Sequence, residues 1–353
     1  MVTETVHASN QTVSLGQGRF ISFEMMSSEI QAELMTEYQL EAERLIKQLS
    51  YKVFEKLPSY VLSKLEGKLL SVMISSKLQS VDALFVDPDD LVTFDELFER
   101  RVSPVVGAKK IILVLSLKAF ISKNAVYLLA HEVFHAIHFL IREGAPSWVR
   151  EGLATLFEAR VRGRLTEKMV DSFLASKVSL TRSHNHKSHS MDLYAHQAMF
   201  FHYLSYQCFG GDFPWKLLDL KVSHWGSLLS GICHEKSGLD ELIRNFFIAQ
   251  YQNQIFSNDQ KMDTRFIMNI PFYQTRSFEK KAQIQNLNLS PFDPIFVRGF
   301  ELNSVSLDHY NAKHVIYPIK IENFSLEILE KLSAPYLFDP QLYYLIYTTD
   351  NLF

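Results

Sequence analysis

The segment from Ala125 to Ile141 constrains the fold of this chain most strongly. It is almost wholly apolar, yet it contains three histidines and one glutamate. Those polar side chains argue against a membrane span, and burying them without a partner would be costly. The pattern predicts a buried helix over residues 124–142 whose polar side chains share a common partner.

The spacing of the polar residues in this helix indicates a metal site. Residues 131–135 read H-E-V-F-H. Helix positions i and i+4 lie on one face, so His131 and His135 can both reach one Zn²⁺ at about 2.0–2.1 Å. Glu132 lies beside the pair, where it can take a proton from a metal-activated water and pass it to a leaving amine. The sequence therefore predicts one zinc ion with Glu132 as general base.

Composition narrows the kind of protein and the kind of metal site. The chain has 353 residues, of which 47% are hydrophobic, so it can bury a substantial core. Its formal net charge of −3 gives no reason to expect nucleic acid as a partner. Its two cysteines exclude a disulfide framework and a zinc ribbon. Any zinc site must therefore be built from imidazole and carboxylate.

A second motif supplies that carboxylate. Residues 148–158 read W-V-R-E-G-L-A-T-L-F-E. This stretch resembles the glutamate helix of the gluzincin metallopeptidases, within the peptidase MA-like superfamily, and residues 151–155 are especially similar to the M1 aminopeptidases. The resemblance spans about residues 110–210. It implies a zincin-like fold in which His131, His135 and Glu151 are the metal ligands and Glu132 is the base.

Other side chains near these motifs have competing interpretations. His138 lies a full turn beyond the histidine pair, which favours a supporting or core role. Glu143 could replace Glu151 as third ligand only if the first helix ended early. Glu158 and Thr155 could each orient a ligand histidine, or could be ordinary packing or surface residues. A metzincin site is excluded, because H-x-x-G-x-x-H does not follow the first motif.

A hydrogen-bond donor to the oxyanion is expected on the helix over residues 193–208. The segment 193–201, L-Y-A-H-Q-A-M-F-F, looks like the helix that follows the glutamate helix in relatives. Tyr194 is the first choice for this catalytic donor and His196 the second. The alternative is that both residues belong to a core, as aromatic residues at helical spacing usually do.

The fold class predicted from these patterns is α+β. Residues 1–20 are polar and expected to be a flexible N-terminus. A catalytic region follows over 21–270, with an N-terminal lobe (21–145) that carries the H-E-x-x-H helix. Its mostly helical second lobe (146–270) carries the third ligand. Short runs punctuated by proline predict a small β-rich module over 287–353.

Two strands are predicted in the N-terminal lobe, over residues 68–75 and 110–117. The second is either an edge strand that binds an extended peptide or a buried central strand. A long helix is expected from a capping box at residues 28–31 to the region before Pro58. Residues 181–190 form a histidine-rich polar loop that could cover the cleft.

The leading functional hypothesis is a zinc metallopeptidase, specifically an endopeptidase of narrow specificity with a peptide or protein substrate. Two alternatives are a delivered bacterial effector or toxin protease that acts on one host protein, and a non-catalytic binding protein on a peptidase fold. No integral membrane segment is expected. The N-terminus has no Sec-type signal, which predicts a cytoplasmic protein, export by another route, or a signal absent from this sequence.

Overall fold

The computed structural model describes the residues that form the helices and strands, with their immediate connections. They are residues 6–16, 19–27, 35–76, 78, 82–86, 110–141, 145–175, 180, 191–209, 212–219, 244–247, 295–298, 313–322, 325–328 and 343–349. The chain divides into two compact units. The first comprises Met1–Ala145 with Leu153–Arg164, and the second comprises Pro146–Gly152 with Leu165–Phe353.

The helices confirm the predicted pattern along the central part of the chain. They are α1 (Met35–Lys52), α2 (Ser59–Leu65), α3 (Leu117–Phe120), α4 (Ala125–Ile141), α5 (Ser147–Arg162), α6 (Glu167–Ala175), α7 (Met191–Phe209) and α8 (Lys216–Asp219). A short 3-10 helix occupies Phe54–Lys56. The helices predicted over 124–142, 148–160 and 193–208 correspond to α4, α5 and α7. The capping box at 28–31 lies outside the described residues, as does the loop 181–190.

The strands of the first unit form one mixed sheet. They are β1 (Val6–Gly16), β2 (Arg19–Ser27), β3 (Leu69–Ser75), β4 (Ala83–Phe85) and β5 (Lys110–Ser116), in the spatial order β1-β2-β3-β5-β4. The pairs β2–β3 and β3–β5 are parallel, whereas β1–β2 and β4–β5 are antiparallel. Strand β5 is therefore internal, and the alternative that residues 110–117 form an edge strand is wrong. The short strand β4 is the edge instead.

The N-terminal hairpin differs from the flexible segment expected over residues 1–20. Strands β1 and β2 pair from Val6↔Ser27 to Gly16↔Arg19. The reason lies in the position of β1, which is an outer strand of the sheet. Such a strand tolerates polar side chains on both faces, and Thr12 and Ser22, which face each other across the pair, are both exposed. Its sequence therefore lacks the apolar alternation that would indicate a strand.

Helix α4 is buried around most of its circumference, which explains why its sequence is apolar on nearly all sides. Its buried residues include Leu129, Val133 and Ile137. The helix begins after Asn124, whose carbonyl accepts hydrogen bonds from the main-chain N–H groups of Tyr127 (2.9 Å) and Leu128 (3.1 Å). A helix enclosed in this way holds its side chains in fixed directions, as a metal site requires.

Aromatic side chains dominate the core of the second unit. The Trp148 ring stacks on Phe201, with ring centroids 5.7 Å apart and planes 18° apart. Phe173 and Phe246 are also in ring contact, at 6.1 Å. These large, buried rings supply much of the apolar area that stabilises this part of the molecule.

A separate antiparallel sheet lies within the residues predicted to be β-rich. It has the order β6-β9-β7-β8, with β6 (Ile295–Arg298), β7 (Lys313–Glu322), β8 (Ser325–Ile328) and β9 (Tyr343–Thr349). Together with the helices, it confirms a mixed α+β fold. The domain boundaries drawn from the sequence stay predictions. No helix in the described ranges combines the length and apolarity needed to cross a membrane.

Candidate metal centre

Two histidines converge from one face of α4. The Nε2 atoms of His131 and His135 are 3.0 Å apart, and the two rings meet edge to face with centroids 4.7 Å apart. Two nitrogens bound to one tetrahedral Zn²⁺ at about 2.0–2.1 Å would be separated by about 3.3 Å. The spacing of the imidazoles is therefore close to that of a ligand pair.

Glu151 completes the group from the start of α5. One ligand atom from each of His131, His135 and Glu151 lies within 4.8 Å of the others, and all three residues are half-buried. Helix α5 begins next to Pro146, whose carbonyl accepts the N–H of Arg150 at 3.1 Å. Two imidazoles and one carboxylate are a donor set that suits zinc and leaves a fourth position for another ligand. The residues present therefore fit a single zinc ion.

Glu132 is the neighbour of His131 in sequence, but it makes a different contact. Its residue is only 8% exposed, and its Oε2 accepts a hydrogen bond of 2.6 Å from the main-chain N–H of Phe85 on β4. A buried carboxylate needs such a partner, and an N–H bond to an ionised oxygen is stronger than a neutral one. Glu132 is thus held by the main chain of β4 at the sheet edge, and its role as a base beside the metal stays a prediction.

A charged pair on α5 lies against the other ring nitrogen of His131. The Oε2 atom of Glu158 is 3.8 Å from His131 Nδ1, which is longer than a hydrogen bond but within ion-pair range. Arg162 donates from Nη2 to Glu158 Oε1 at 2.8 Å and from Nη1 to Asn124 Oδ1 at 3.0 Å. This places the Glu158 carboxylate near the His131 ring, and its suggested role in orienting that ring stays a prediction.

Thr155 lies one turn after Glu151 on the same face of α5. Its residue is 2% exposed, and its hydroxyl has no hydrogen-bond partner among the residues that the structure describes. A buried hydroxyl of this kind usually faces water or a polar neighbour. Its suggested contact with a ligand histidine stays a prediction.

The rival ligands are placed as follows. His138 is fully buried, and its ring lies 6.0 Å from that of Phe134 one turn earlier, so it belongs to the interior of the helix packing. It is not a member of the group formed by His131, His135 and Glu151. Glu143 lies outside the described residues.

The two predicted oxyanion donors lie on α7, in the second unit. Tyr194 is half-buried. His196 is buried against Phe173, with ring centroids 4.9 Å apart, and its Nδ1 lies 2.9 Å from the carbonyl oxygen of Asp192 in its own helix. These contacts match the core alternative for His196. A catalytic role for either residue stays a prediction.

Gly152 permits a close approach between α5 and α7. A Cβ built at this position would lie 2.7 Å from the Phe201 ring and 3.1 Å from the main chain of Gln197. Both residues belong to α7. Helical spacing alone does not identify the element that faces Gly152, so this contact is decided by the packing.

Three residues of this region make contacts that the motifs in the sequence do not indicate. Arg162 lies four residues after Glu158, so helical i,i+4 charge pairing could have indicated it. Asn124 and Phe85 could not have been found in this way. Asn124 lies 38 residues before Arg162, and Phe85 lies 47 residues before Glu132, so both contacts depend on how separate elements pack.

No protein-family model matches the chain, and no curated protein matches it significantly. The case for a metal centre therefore stands on the convergence of His131, His135 and Glu151 and on the contacts around them.

Proposed function

We propose that this protein is a zinc-dependent metallopeptidase of the gluzincin type with a zincin-like catalytic fold. The observation that carries the proposal is the clustering of the ligand atoms of His131, His135 and Glu151 within 4.8 Å, next to Glu132 in sequence. A metal-only site would not need Glu132. A hydrolytic site does, because it requires a base beside the ligands.

When bound, the zinc ion supplies Lewis-acid polarisation of the scissile carbonyl. Side chains of this protein transfer the proton, orient the ligands and donate to the oxyanion. Glu132 accepts a proton from the attacking water and delivers it to the leaving nitrogen. Glu158 and Arg162 keep the His131 ring in one orientation. Tyr194 is the proposed donor to the oxyanion, with His196 as the alternative.

The outer edge of β4 supports an extended peptide as substrate. Strand β4 is the last strand in the sheet order, so no described strand pairs with its outer side. That edge also carries the Phe85 amide that contacts Glu132. A peptide paired along β4 would therefore run past the proposed base, as cleavage of an internal peptide bond requires. We infer that the protein acts as an endopeptidase of narrow specificity.

Two alternatives accompany this proposal, and the first is a delivered bacterial effector or toxin protease that acts on one host protein. The other alternative, a non-catalytic binding protein, gains no support from the way Glu132 is held.

The test is Glu132→Gln, assayed for metal content and for cleavage of a proteome-derived peptide library. We expect the variant to keep about one zinc per chain, because no ligand is changed. Turnover should fall about 100- to 10,000-fold, the usual contribution of a general base. Chelation of the wild type should abolish cleavage, and added zinc should restore it.

Glu41→Gln is a matched control, since Glu41 pairs with Arg44 (2.8 Å) on α1 and offers the same change of charge. It should retain both metal and activity. Cleavage by Glu132→Gln at the wild-type rate, or a wild-type protein that binds no zinc, would overturn the proposed function.

A further inference from the structure

We propose that the main-chain amide of Phe85 positions Glu132, so that the edge strand β4 is part of the catalytic apparatus. This inference rests on the proposed function. It assigns a role in the reaction to a residue with no reactive side chain, 47 positions away from Glu132 in the sequence.

The register of β4 shows that the Phe85 amide is directed away from the sheet. Ser116 donates its N–H to Asp82 O at 2.8 Å, and Val86 donates its N–H to Ile112 O at 3.0 Å. Main-chain groups alternate in direction along an antiparallel strand, so residues 82, 84 and 86 face β5. Phe85 therefore faces outward, and its N–H is donated to Glu132 Oε2 at 2.6 Å rather than to the neighbouring strand.

A second contact holds β4 on the same face of α4. The ring of Phe85 lies 5.9 Å from that of Phe139, with planes inclined at 52°. Glu132 and Phe139 are seven residues apart, which places them on one side of the helix, two turns from each other. Phe85 thus contacts α4 through its main chain and through its side chain, and its amide cannot swing away from Glu132 without loss of the ring contact.

The consequence for catalysis follows from geometry. A carboxylate held through one oxygen keeps a defined orientation, so its other oxygen also occupies a defined position for proton transfer. A misplacement of about 1 Å in such a group can cost about 100-fold in rate. An extended peptide on the β4 edge could not use the Phe85 amide, because that amide is committed to Glu132. The peptide would pair through the other outward groups of the strand.

Amide hydrogen exchange tests the contact without any substrate. The Phe85 amide should exchange slowly in the wild type, although it faces away from β5. Glu132→Ala should accelerate its exchange at least about 10-fold, the change expected when one hydrogen bond is lost. The Val86 amide, bonded to Ile112, is the internal control and should not change. Equal Phe85 exchange rates in the two proteins would overturn the inference.

A pair of substitutions tests the catalytic role. Phe85→Ala removes the ring and keeps the N–H, whereas Phe85→Pro removes both, at an outward edge position where proline is tolerated. We expect kcat to be about 10- to 100-fold lower in Phe85→Pro than in Phe85→Ala, with equal zinc content. Equal kcat values would show that the amide does not position Glu132.

The two experiments separate this inference from the proposed function. If Phe85→Pro fails to fold, as circular dichroism would show, the exchange measurement alone decides. Suppose that the wild type binds zinc and cleaves peptides, but Phe85 exchanges at the same rate in the wild type and in Glu132→Ala. That result overturns only the role of the amide. A wild type that binds no zinc and cleaves nothing overturns both proposals, whatever the exchange rates.

Discussion

Helices α4 and α7 are both largely apolar helices that carry histidines, but among the described residues only α4 brings two of them into a group that could hold a metal ion. In α4, His131 and His135 lie on one face, and their Nε2 atoms meet at 3.0 Å. In α7, His196 and His202 are six residues apart and lie on different faces. The two helices show that burial of histidine in an apolar helix does not by itself indicate a ligand.

The imidazole rings of His131 and His196 also have different neighbours. The second nitrogen of His131 faces the carboxylate of Glu158, which Arg162 holds from the next turn. The Nδ1 of His196 lies 2.9 Å from a carbonyl oxygen of its own helix, and its ring packs on Phe173. A carboxylate behind one ring favours metal ligation. A local hydrogen bond and an aromatic neighbour instead satisfy an imidazole within a core.

The largest expected effect contrasts one histidine from each helix. His135→Ala should weaken zinc binding by at least about 100-fold, because one of three protein ligands is lost. His196→Phe, which keeps the ring volume, should leave zinc affinity unchanged. Isothermal titration with zinc, read against a competing chelator, measures both. Equal losses of zinc affinity in the two variants would contradict the proposed difference between α4 and α7.

A smaller effect is expected from the carboxylate behind His131. Glu158→Gln should lower zinc affinity about 10- to 100-fold, the usual cost of losing such a partner. Glu41→Gln, from an exposed glutamate–arginine pair on α1, should have no effect. An unchanged affinity in Glu158→Gln would mean that Glu158 serves only packing.

Arg162 provides a further check on that carboxylate. Arg162→Lys should also weaken zinc binding, because lysine cannot make the same forked contacts. In the Glu158→Gln background it should add nothing, since Arg162 acts on the metal site through Glu158. Additive losses in the double variant would assign Arg162 an independent role.

The smallest effect concerns stability at the start of α5. Gly152→Ala should lower the free energy of unfolding by about 1–3 kcal/mol, because the new Cβ would press on the Phe201 ring. The double variant Gly152→Ala with Phe201→Leu should recover part of this loss, because the smaller side chain leaves room for the new Cβ. Gly163→Ala is the control, since Gly163 has φ +83° and no atom within 4 Å of a built Cβ. Gly163→Ala lowers stability through the strained backbone conformation, so adding Phe201→Leu should not restore the lost free energy of unfolding. Urea unfolding measures both glycine variants, each with and without Phe201→Leu.

Tyr38 shows that burial can act on a polar group without creating a site. Its ring packs on Phe120 with centroids 5.0 Å apart, and its hydroxyl has no hydrogen-bond partner among the described residues. Burial raises the pKa of this hydroxyl well above its usual value, because the phenolate form would lose its hydration. The buried Tyr38 side chain is comparable to His196 rather than to His131, because its position is explained by packing on an aromatic neighbour.

Much of the central region could be predicted from sequence because it depends on local rules. Helical periodicity gave the bounds of α4, α5 and α7 to within about two residues. The H-E-x-x-H spacing placed two imidazoles on one face. Strand β1 could not be predicted, because it is an outer strand of the sheet and its sequence carries little apolar pattern. Nor could β4, which has only three residues.

The sequence alone placed His131 and His135 on one face of a helix, which follows from their i,i+4 spacing. It offered Glu151 as the matching carboxylate only through the resemblance of residues 148–158 to the gluzincin glutamate helix. Only the tertiary structure decided that Glu151 reaches the histidines, that β5 is internal, and that Phe85 contacts Glu132. Each of these depends on the packing of elements far apart in sequence. Contacts of that kind are fixed by shape and burial, which no local pattern records.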